Sequence, residues 1–222
     1  MEAKEKHIIA TSYGINIHVL SDVRNFLKYL SDNTRKNATI CYIGAASNDN
    51  RMFLYLFKLA LFLYQPKWEL NVLYIRDMQN RDKLSGMMNS DIIFVDGGNT
   101  VKLLNIIREN KLDIELFNAY NKGIILSGTS AGLLCWFSEG ITDSYGTLST
   151  IYNCFNILNY SVTPHYDNQN RRKIFNDKCN NKELISGYGV PDGCIVHFKN
   201  GTLFNSICRD ESFHYLEVAN DI

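Results

Sequence analysis

The chain has 222 residues, of which 45% are hydrophobic and 21% are charged. This composition is typical of a globular protein and excludes an intrinsically disordered chain. Lysine and arginine together number 23, as do aspartate and glutamate, so the formal net charge is zero. Because nucleic-acid-binding domains usually carry a basic excess, we expect no nucleic-acid partner.

The predicted elements alternate between strands and helices. Short apolar runs predict five strands, at residues 7–11, 38–43, 70–75, 91–95 and 122–126. Apolar residues at helical spacing predict helices between them, at residues 19–30, 52–64 and 101–107. The strands are continuous apolar runs, which indicates burial on both faces. We therefore predict a doubly wound α/β fold with a mostly parallel sheet, forming a single domain over residues 1–222.

The pattern changes after about residue 140. Short strand candidates lie there among polar loops, at residues 195–198, 202–204 and 213–218. They predict an antiparallel C-terminal extension of the sheet. No apolar run reaches the ~18 residues of a membrane-spanning helix, and the first residues lack the apolar core of a signal peptide. We expect a cytoplasmic protein without a membrane partner, with its six cysteines reduced.

The segment Gly128–Gly132 matches Gly-x-Ser-x-Gly, with a predicted strand before it and a helical run at residues 133–137 after it. A chain that turns sharply from strand to helix needs small residues on both sides of the turn, and the central side chain then protrudes. Ser130 is therefore a candidate nucleophile. The alternative interpretation is that Ser130 is an ordinary helix N-cap.

Gly97 and Gly98 end the preceding strand, at the sheet edge where parallel α/β proteins bind ligands. Two glycines permit a close approach of the backbone. The amides of Gly98 and Ala131 could together stabilise an oxyanion. Asn99 or Thr100 as a helix N-cap is the competing interpretation of this turn.

A nucleophilic serine needs a base and an acid. His165 follows Pro164 among polar residues that suggest a cleft, and His214 is its main competitor. Asp192, Asp143 and Asp167 are the candidate acids, and the residues alone leave this choice open. No histidine pair has metal-ligand spacing, so we expect neither a metal nor an organic cofactor.

Three motifs taken together resemble the peptidase E family of serine peptidases, which is related to the cyanophycinases. They are Asp96–Thr100, Gly128–Gly132 and Pro164–Asp167, and the similarity extends over roughly residues 5–218. The resemblance implies a fold similar to class I glutamine amidotransferases, with serine where those enzymes carry cysteine. It also implies Ser130 as the nucleophile, His165 as the base, Gly98 and Ala131 as oxyanion donors, and Asp192 as the acid, with Asp143 as second choice.

The resemblance further implies a dipeptidase that accepts small peptides, possibly with an N-terminal aspartate. Arg171 and Arg172 are candidate substrate-binding residues, as is Asn99; a solvated arginine pair is the alternative for the first two. Thr100 stands where cyanophycinases carry glutamine, which counts against the polymer-degrading branch. We expect a monomer or a homodimer.

Two other functions fit the residues. An α/β-hydrolase esterase would use Ser130, Asp192 and His214, which follow the chain order of nucleophile, acid and base in that fold. A non-catalytic binding protein on a glutamine-amidotransferase-like scaffold is the second alternative.

Overall fold

The computed structural model describes residues 4–13, 19–209 and 214–216. Its twelve described strands are β1 His7–Ser12, β2 Thr39–Ile43, β3 Glu69–Leu73, β4 Ile92–Val95, β5 Ile125–Thr129, β6 Phe137–Thr142, β7 Ser149–Ile151, β8 Leu158–Pro164, β9 Gly187–Val190, β10 Cys194–Lys199, β11 Thr202–Ile207 and β12 His214–Leu216. The described α-helices are α1 Val19–Asp32, α2 Arg51–Tyr64, α3 Arg81–Met88, α4 Thr100–Glu109, α5 Leu112–Asn121, α6 Ala131–Leu134 and α7 Gln169–Asn180.

The larger sheet has the strand order β11-β10-β1-β5-β4-β2-β3. Its five strands from β1 to β3 are parallel, and β10 and β11 continue the sheet in antiparallel fashion. Successive strand residues face opposite sides, so Ile8 packs with α4 and α5 whereas Ile9 packs with α1 and α2. Burial on both faces explains the continuous apolar runs. This is the predicted mixed α/β fold with a parallel-rich sheet.

A second sheet, which the sequence patterns did not predict, has the order β12-β9-β8-β6-β7. Its strands β6, β8 and β9 are parallel to one another. The C-terminal half is therefore more than an antiparallel extension. These strands were missed because they mix polar residues and glycines; Gly189, for example, leaves room for the ring of Tyr166.

Two predicted boundaries around Ser130 were wrong. Strand β5 continues to Thr129, beyond the predicted end at residue 126, and α6 is a single turn rather than a helical run over residues 133–137. Phe137 already begins β6. So short a helix adds little dipole field, which leaves the backbone amides at its start as the local donors. Predicted strand 213–218 is described only over residues 214–216; its other residues lie outside the described part of the chain.

The expectation that every cysteine is reduced was wrong for one pair. Cys194 and Cys208 form a disulfide, whereas Cys41, Cys135, Cys154 and Cys179 are free and buried. The antiparallel pairing of Ile195 with Ile207 brings the two flanking cysteines together. A rule based on cellular compartment takes no account of such a juxtaposition. Among the described residues, no helix is both long enough and apolar enough to cross a membrane.

Candidate active site

Ser130 lies on the tight turn between β5 and α6. Its backbone has φ 51° and ψ −105°, a conformation that residues other than glycine rarely adopt. The Ser130 amide donates to the Thr11 carbonyl oxygen at 3.2 Å, which fixes the turn against the end of β1. Strain of this kind persists only where the surrounding structure enforces it, and it is concentrated at functional sites.

The flanking glycines are required by the close packing of this turn. A Cβ at Gly128 would lie less than 3.0 Å from the Gly132 carbonyl, and a Cβ at Gly132 would lie equally close to the Val95 carbonyl. Backbone atoms cannot move aside as a flexible side chain can. The physical reason given for the Gly-x-Ser-x-Gly spacing therefore holds in the structure.

His165 is brought to Ser130 by the second sheet, where it directly follows β8. Its Nε2 lies 2.8 Å from the Ser130 Oγ, and its Nδ1 lies 2.6 Å from the Asp192 Oδ1. Strands β8 and β9 pair in parallel with Pro164 opposite Val190, so the residues just beyond each strand end meet. His165 also has a positive φ of 56°. The three side chains form one continuous hydrogen-bonded series.

Ser12, the last residue of β1, hydrogen-bonds to both Asp192 and His165, and it was not among the predicted site residues. Its hydroxyl donates to the Asp192 Oδ1 at 3.0 Å and accepts from the His165 amide at 2.9 Å. The Ser12 carbonyl accepts from the Gly193 amide at 2.6 Å. The only sequence signal was a small polar residue directly after a predicted strand; the structure shows that this strand pairs with β5, which precedes Ser130.

Among the described residues, the backbone amides of Gly98 and Ala131 have no hydrogen-bond acceptor. Gly98 has φ 145°, and a Cβ there would lie less than 3.0 Å from the Ala46 carbonyl. Ala46 accepts from the Asn99 amide at 2.9 Å. The loop after β2 thus packs tightly against the loop that carries Gly98.

Asp96 ties these two loops together. Its carboxylate accepts hydrogen bonds from the Ala46 amide at 3.1 Å, the Tyr42 hydroxyl at 3.2 Å and the Ser47 hydroxyl. Burial raises the pKa of Asp96 to about 7, although these hydrogen bonds favour the carboxylate and oppose the rise. Asp96 therefore positions the glycine loop, and the acid that bonds to His165 is Asp192.

The other predicted site residues have different partners. The Asp143 Oδ2 accepts a hydrogen bond from the Arg171 guanidinium at 3.1 Å. The carboxylate bonded to His165 is that of Asp192, not that of Asp143. Arg171 is buried and also donates to the Ile141 carbonyl at 3.0 Å. Burial lowers the pKa of Arg171, and Asp143 opposes this. Arg172 donates to the Tyr166 carbonyl at 3.0 Å and lies over the Tyr166 ring.

Asn99 and His214 also lie outside the hydrogen-bonded series. Asn99 is the N-cap of α4, accepting from the Lys102 amide at 2.8 Å, and it donates to the Ser144 carbonyl at 3.1 Å. The structure thus supports the N-cap interpretation of Asn99. The His214 ring packs against Tyr166. Since His165 contacts both Ser130 and Asp192, the geometry favours His165 over His214 as a base.

The site is partly open to solvent, with the His165 side chain 25% exposed and that of Asp192 13% exposed. A separate cavity of about 680 Å³ lies at the opposite end of the strands, beside His7 and Ile125. Its lining includes Ser90, but the Ser90 hydroxyl donates to the Gly86 carbonyl and His7 contacts His197, so the described residues form no serine–histidine hydrogen bond there. The partly exposed hydrogen-bonded series is therefore the better candidate site.

The chain is similar to known peptidases. The chain matches the model of peptidase family S51 over residues 8–205. It is 34% identical over 189 residues to YgaJ, an uncharacterised peptidase of Bacillus subtilis (strain 168), covering 80% of this chain and 76% of that protein. It is 28% identical over 163 residues to peptidase E of Shewanella denitrificans (strain OS217), covering 72% of this chain and 66% of that protein.

Two solved structures share the fold. One is a candidate peptidase E protein from Listeria monocytogenes EGD-e, with a TM-score of 0.67, 19% identity, and coverage of 93% of this chain and 100% of that one. The other is a peptidase from an acI-B1 Actinobacterium, with a TM-score of 0.70, 14% identity, and coverage of 98% and 93%. From the family match and the 34% identity, the chain belongs to peptidase family S51 and is a serine-type peptidase of the peptidase E kind.

Proposed function

We propose that the protein is an exopeptidase, specifically a dipeptidase, that works through a Ser130-His165-Asp192 triad and an acyl-enzyme. The observation that carries this proposal is the unbroken series of hydrogen bonds from Ser130 through His165 to Asp192. A hydroxyl on a strained turn, an imidazole within proton-transfer distance and a carboxylate on the second ring nitrogen are the parts that acyl transfer requires.

The proposed reaction begins with His165 in the tautomer that carries its proton on Nδ1. That N–H donates to Asp192, which leaves Nε2 free to accept the proton of the Ser130 hydroxyl. The Ser130 Oγ attacks the peptide carbonyl carbon, and the negative charge develops on the carbonyl oxygen. Asp192 stabilises the imidazolium that forms.

The amides of Gly98 and Ala131 are proposed to donate to the developing oxyanion. Each such donor is typically worth ~3–4 kcal/mol in the transition state. When the intermediate collapses, the C–N bond breaks and His165 delivers its proton to the leaving amine. Water, deprotonated by His165, then attacks the acyl-enzyme ester; the ester C–O bond breaks, His165 returns the proton to the Ser130 Oγ, and the carboxylic acid product leaves.

Dipeptides with an N-terminal aspartate are the substrate class that we propose to test first, because of the similarity to peptidase E proteins. Arg171 and Arg172 lie on α7, which begins four residues after His165. Arg171 already pairs with Asp143, which balances its charge. We therefore propose that Arg171 contributes less to binding an acidic substrate side chain than the sequence analysis predicted. We also propose that the scaffold is of the class I glutamine amidotransferase type, given the parallel sheet and the nucleophile turn after β5.

The decisive experiment compares Ser130→Ala with wild type on a library of Asp-x and other dipeptides. We expect Ser130→Ala to lose turnover entirely and to lose covalent labelling by a fluorophosphonate. Ser127→Ala is the matched control, because Ser127 is a buried β5 serine that donates to the Ile9 carbonyl and should keep activity. Turnover retained by folded Ser130→Ala would refute the proposed mechanism.

A further inference from the structure

Helix α2 exposes a large apolar surface to solvent. Seven of its apolar side chains are at least 42% exposed, and Phe62 reaches 73%; they are Met52, Phe53, Tyr55, Leu56, Leu59, Phe62 and Leu63. Only Leu54 and Leu61 of this helix are buried. A surface helix of a monomeric protein normally presents charged and polar residues on its outer face. The outer face of α2 has the composition of a buried face.

The exposed residues follow the spacing of a helix-packing surface. Met52, Tyr55, Leu56, Leu59, Phe62 and Leu63 lie at intervals of three and four along the helix, so they form one stripe about 17 Å long. The charged residues of the helix, Arg51 and Lys58, lie beside this stripe and not within it. We call the seven residues the α2 surface.

The exposed area of the α2 surface matches the area that each partner buries in a stable dimer interface. The exposed fractions of its members together equal roughly four whole side chains, and at ~200 Å² for a large side chain this amounts to about 800 Å². A standard interface buries about 800 Å² on each partner. The largest apolar patch on a typical monomer is only about 300–600 Å².

We propose that the α2 surface is the interface of a homodimer, in which α2 packs across the α2 of a second copy. A twofold interface brings the same surface of each copy together, so an apolar stripe without charges is complementary to itself. Leu59 lies near the centre of the stripe and therefore near the twofold axis. A helix that binds a lipid surface instead carries many Lys or Arg residues along its polar side, and α2 has one of each.

The test measures the oligomeric state of the wild-type protein by sedimentation equilibrium from 1 to 100 µM. We expect twice the monomer mass over most of this range for wild type, and at least about a hundredfold weaker association for Phe62→Glu, because a charge would be buried without a partner. Phe117→Glu, on α5, is the matched control: Phe117 is also exposed, and this variant should remain dimeric. Circular dichroism checks that each variant is folded.

A second variant keeps the test valid if Phe62→Glu does not fold. Leu59→Cys should give a cross-linked dimer on oxidation, while the four free native cysteines are buried and should not react. A wild type that is monomeric at 100 µM, or a folded Phe62→Glu protein that dimerises as wild type does, would overturn the proposal. A monomeric wild type that floats with phosphatidylglycerol-containing vesicles would equally overturn it in favour of a lipid surface.

Discussion

Replacing Ser12 with alanine tests whether the support beneath His165 contributes to the reaction. The change removes a hydroxyl that is fully buried, donates to Asp192 and accepts from the His165 amide. A hydrogen bond to a charged group contributes about 1.5–3 kcal/mol, and a buried amide left without an acceptor costs ~1–3 kcal/mol. We expect the free energy of unfolding to fall by about 3 kcal/mol, which lowers Tm by roughly 6–12 °C.

The effect on catalysis follows from what the hydroxyl positions. Without it, the Asp192 carboxylate and the His165 amide each lose a hydrogen bond to Ser12. The imidazole is then less well oriented toward Ser130. If the poorer orientation raises the activation free energy by about 1.4–3 kcal/mol, kcat falls by ~10- to ~100-fold. Because Ser12 lies behind His165 and Asp192, KM for the best dipeptide should change by less than about threefold.

The assay measures kcat and KM for one dipeptide, together with urea unfolding, for wild type, Ser12→Ala and Ser127→Ala. Ser127 is a suitable control because it is equally buried and its hydroxyl bonds to the Ile9 carbonyl, away from His165. We expect Ser127→Ala to lose stability but to keep kcat. If Ser12→Ala loses stability as Ser127→Ala does while its kcat stays within twofold of wild type, Ser12 has only a structural role and the positioning argument is wrong.

Three further predictions concern the oxyanion loop, the acid and the buried histidine. Gly98→Ala should lower kcat by ~10²- to 10³-fold with little change in KM, since its Cβ would collide with the Ala46 carbonyl and turn the amide away; steady-state kinetics with an effect below threefold would exclude Gly98 as a donor. Asp192→Asn should lose most activity whereas Asp143→Asn should keep kcat within about threefold, and the reverse result in the same assay would make Asp143 the acid. Burial lowers the pKa of His197 from 6.5 to about 4. The unfolded chain therefore takes up a proton between pH 6.5 and 4 that the folded protein does not, and stability falls as the pH falls through this window, by up to ~3 kcal/mol. Urea unfolding at pH 7 and pH 4.5 should show this loss in wild type and a smaller one in His197→Gln; equal losses would contradict the assignment.

The sequence by itself determined the parallel core and the identity of the protruding serine. Short apolar runs that alternate with helical patterns favour strands buried on both faces of a sheet, and the small residues of the pentapeptide already indicate a tight turn at Ser130. The five strands and three helices predicted in the first 130 residues are all present, whereas helices α3 and α5 were not predicted. The boundaries around Ser130 were predicted wrongly, because β5 continues through Ser127–Thr129, which are small residues without a strand-like apolar pattern.

Only the tertiary structure decided which residues meet the serine. His165 and Asp192 are 27 positions apart and come together through the register of β8 with β9, in a sheet whose polar and glycine-containing strands give no clear periodic signal. Ser12 contacts His165 and Asp192 from the end of β1, a strand of the other sheet, and Asp143 pairs with Arg171. Contacts of this kind depend on strand register and on competition among partners, and neither is encoded in the spacing of the residues that take part.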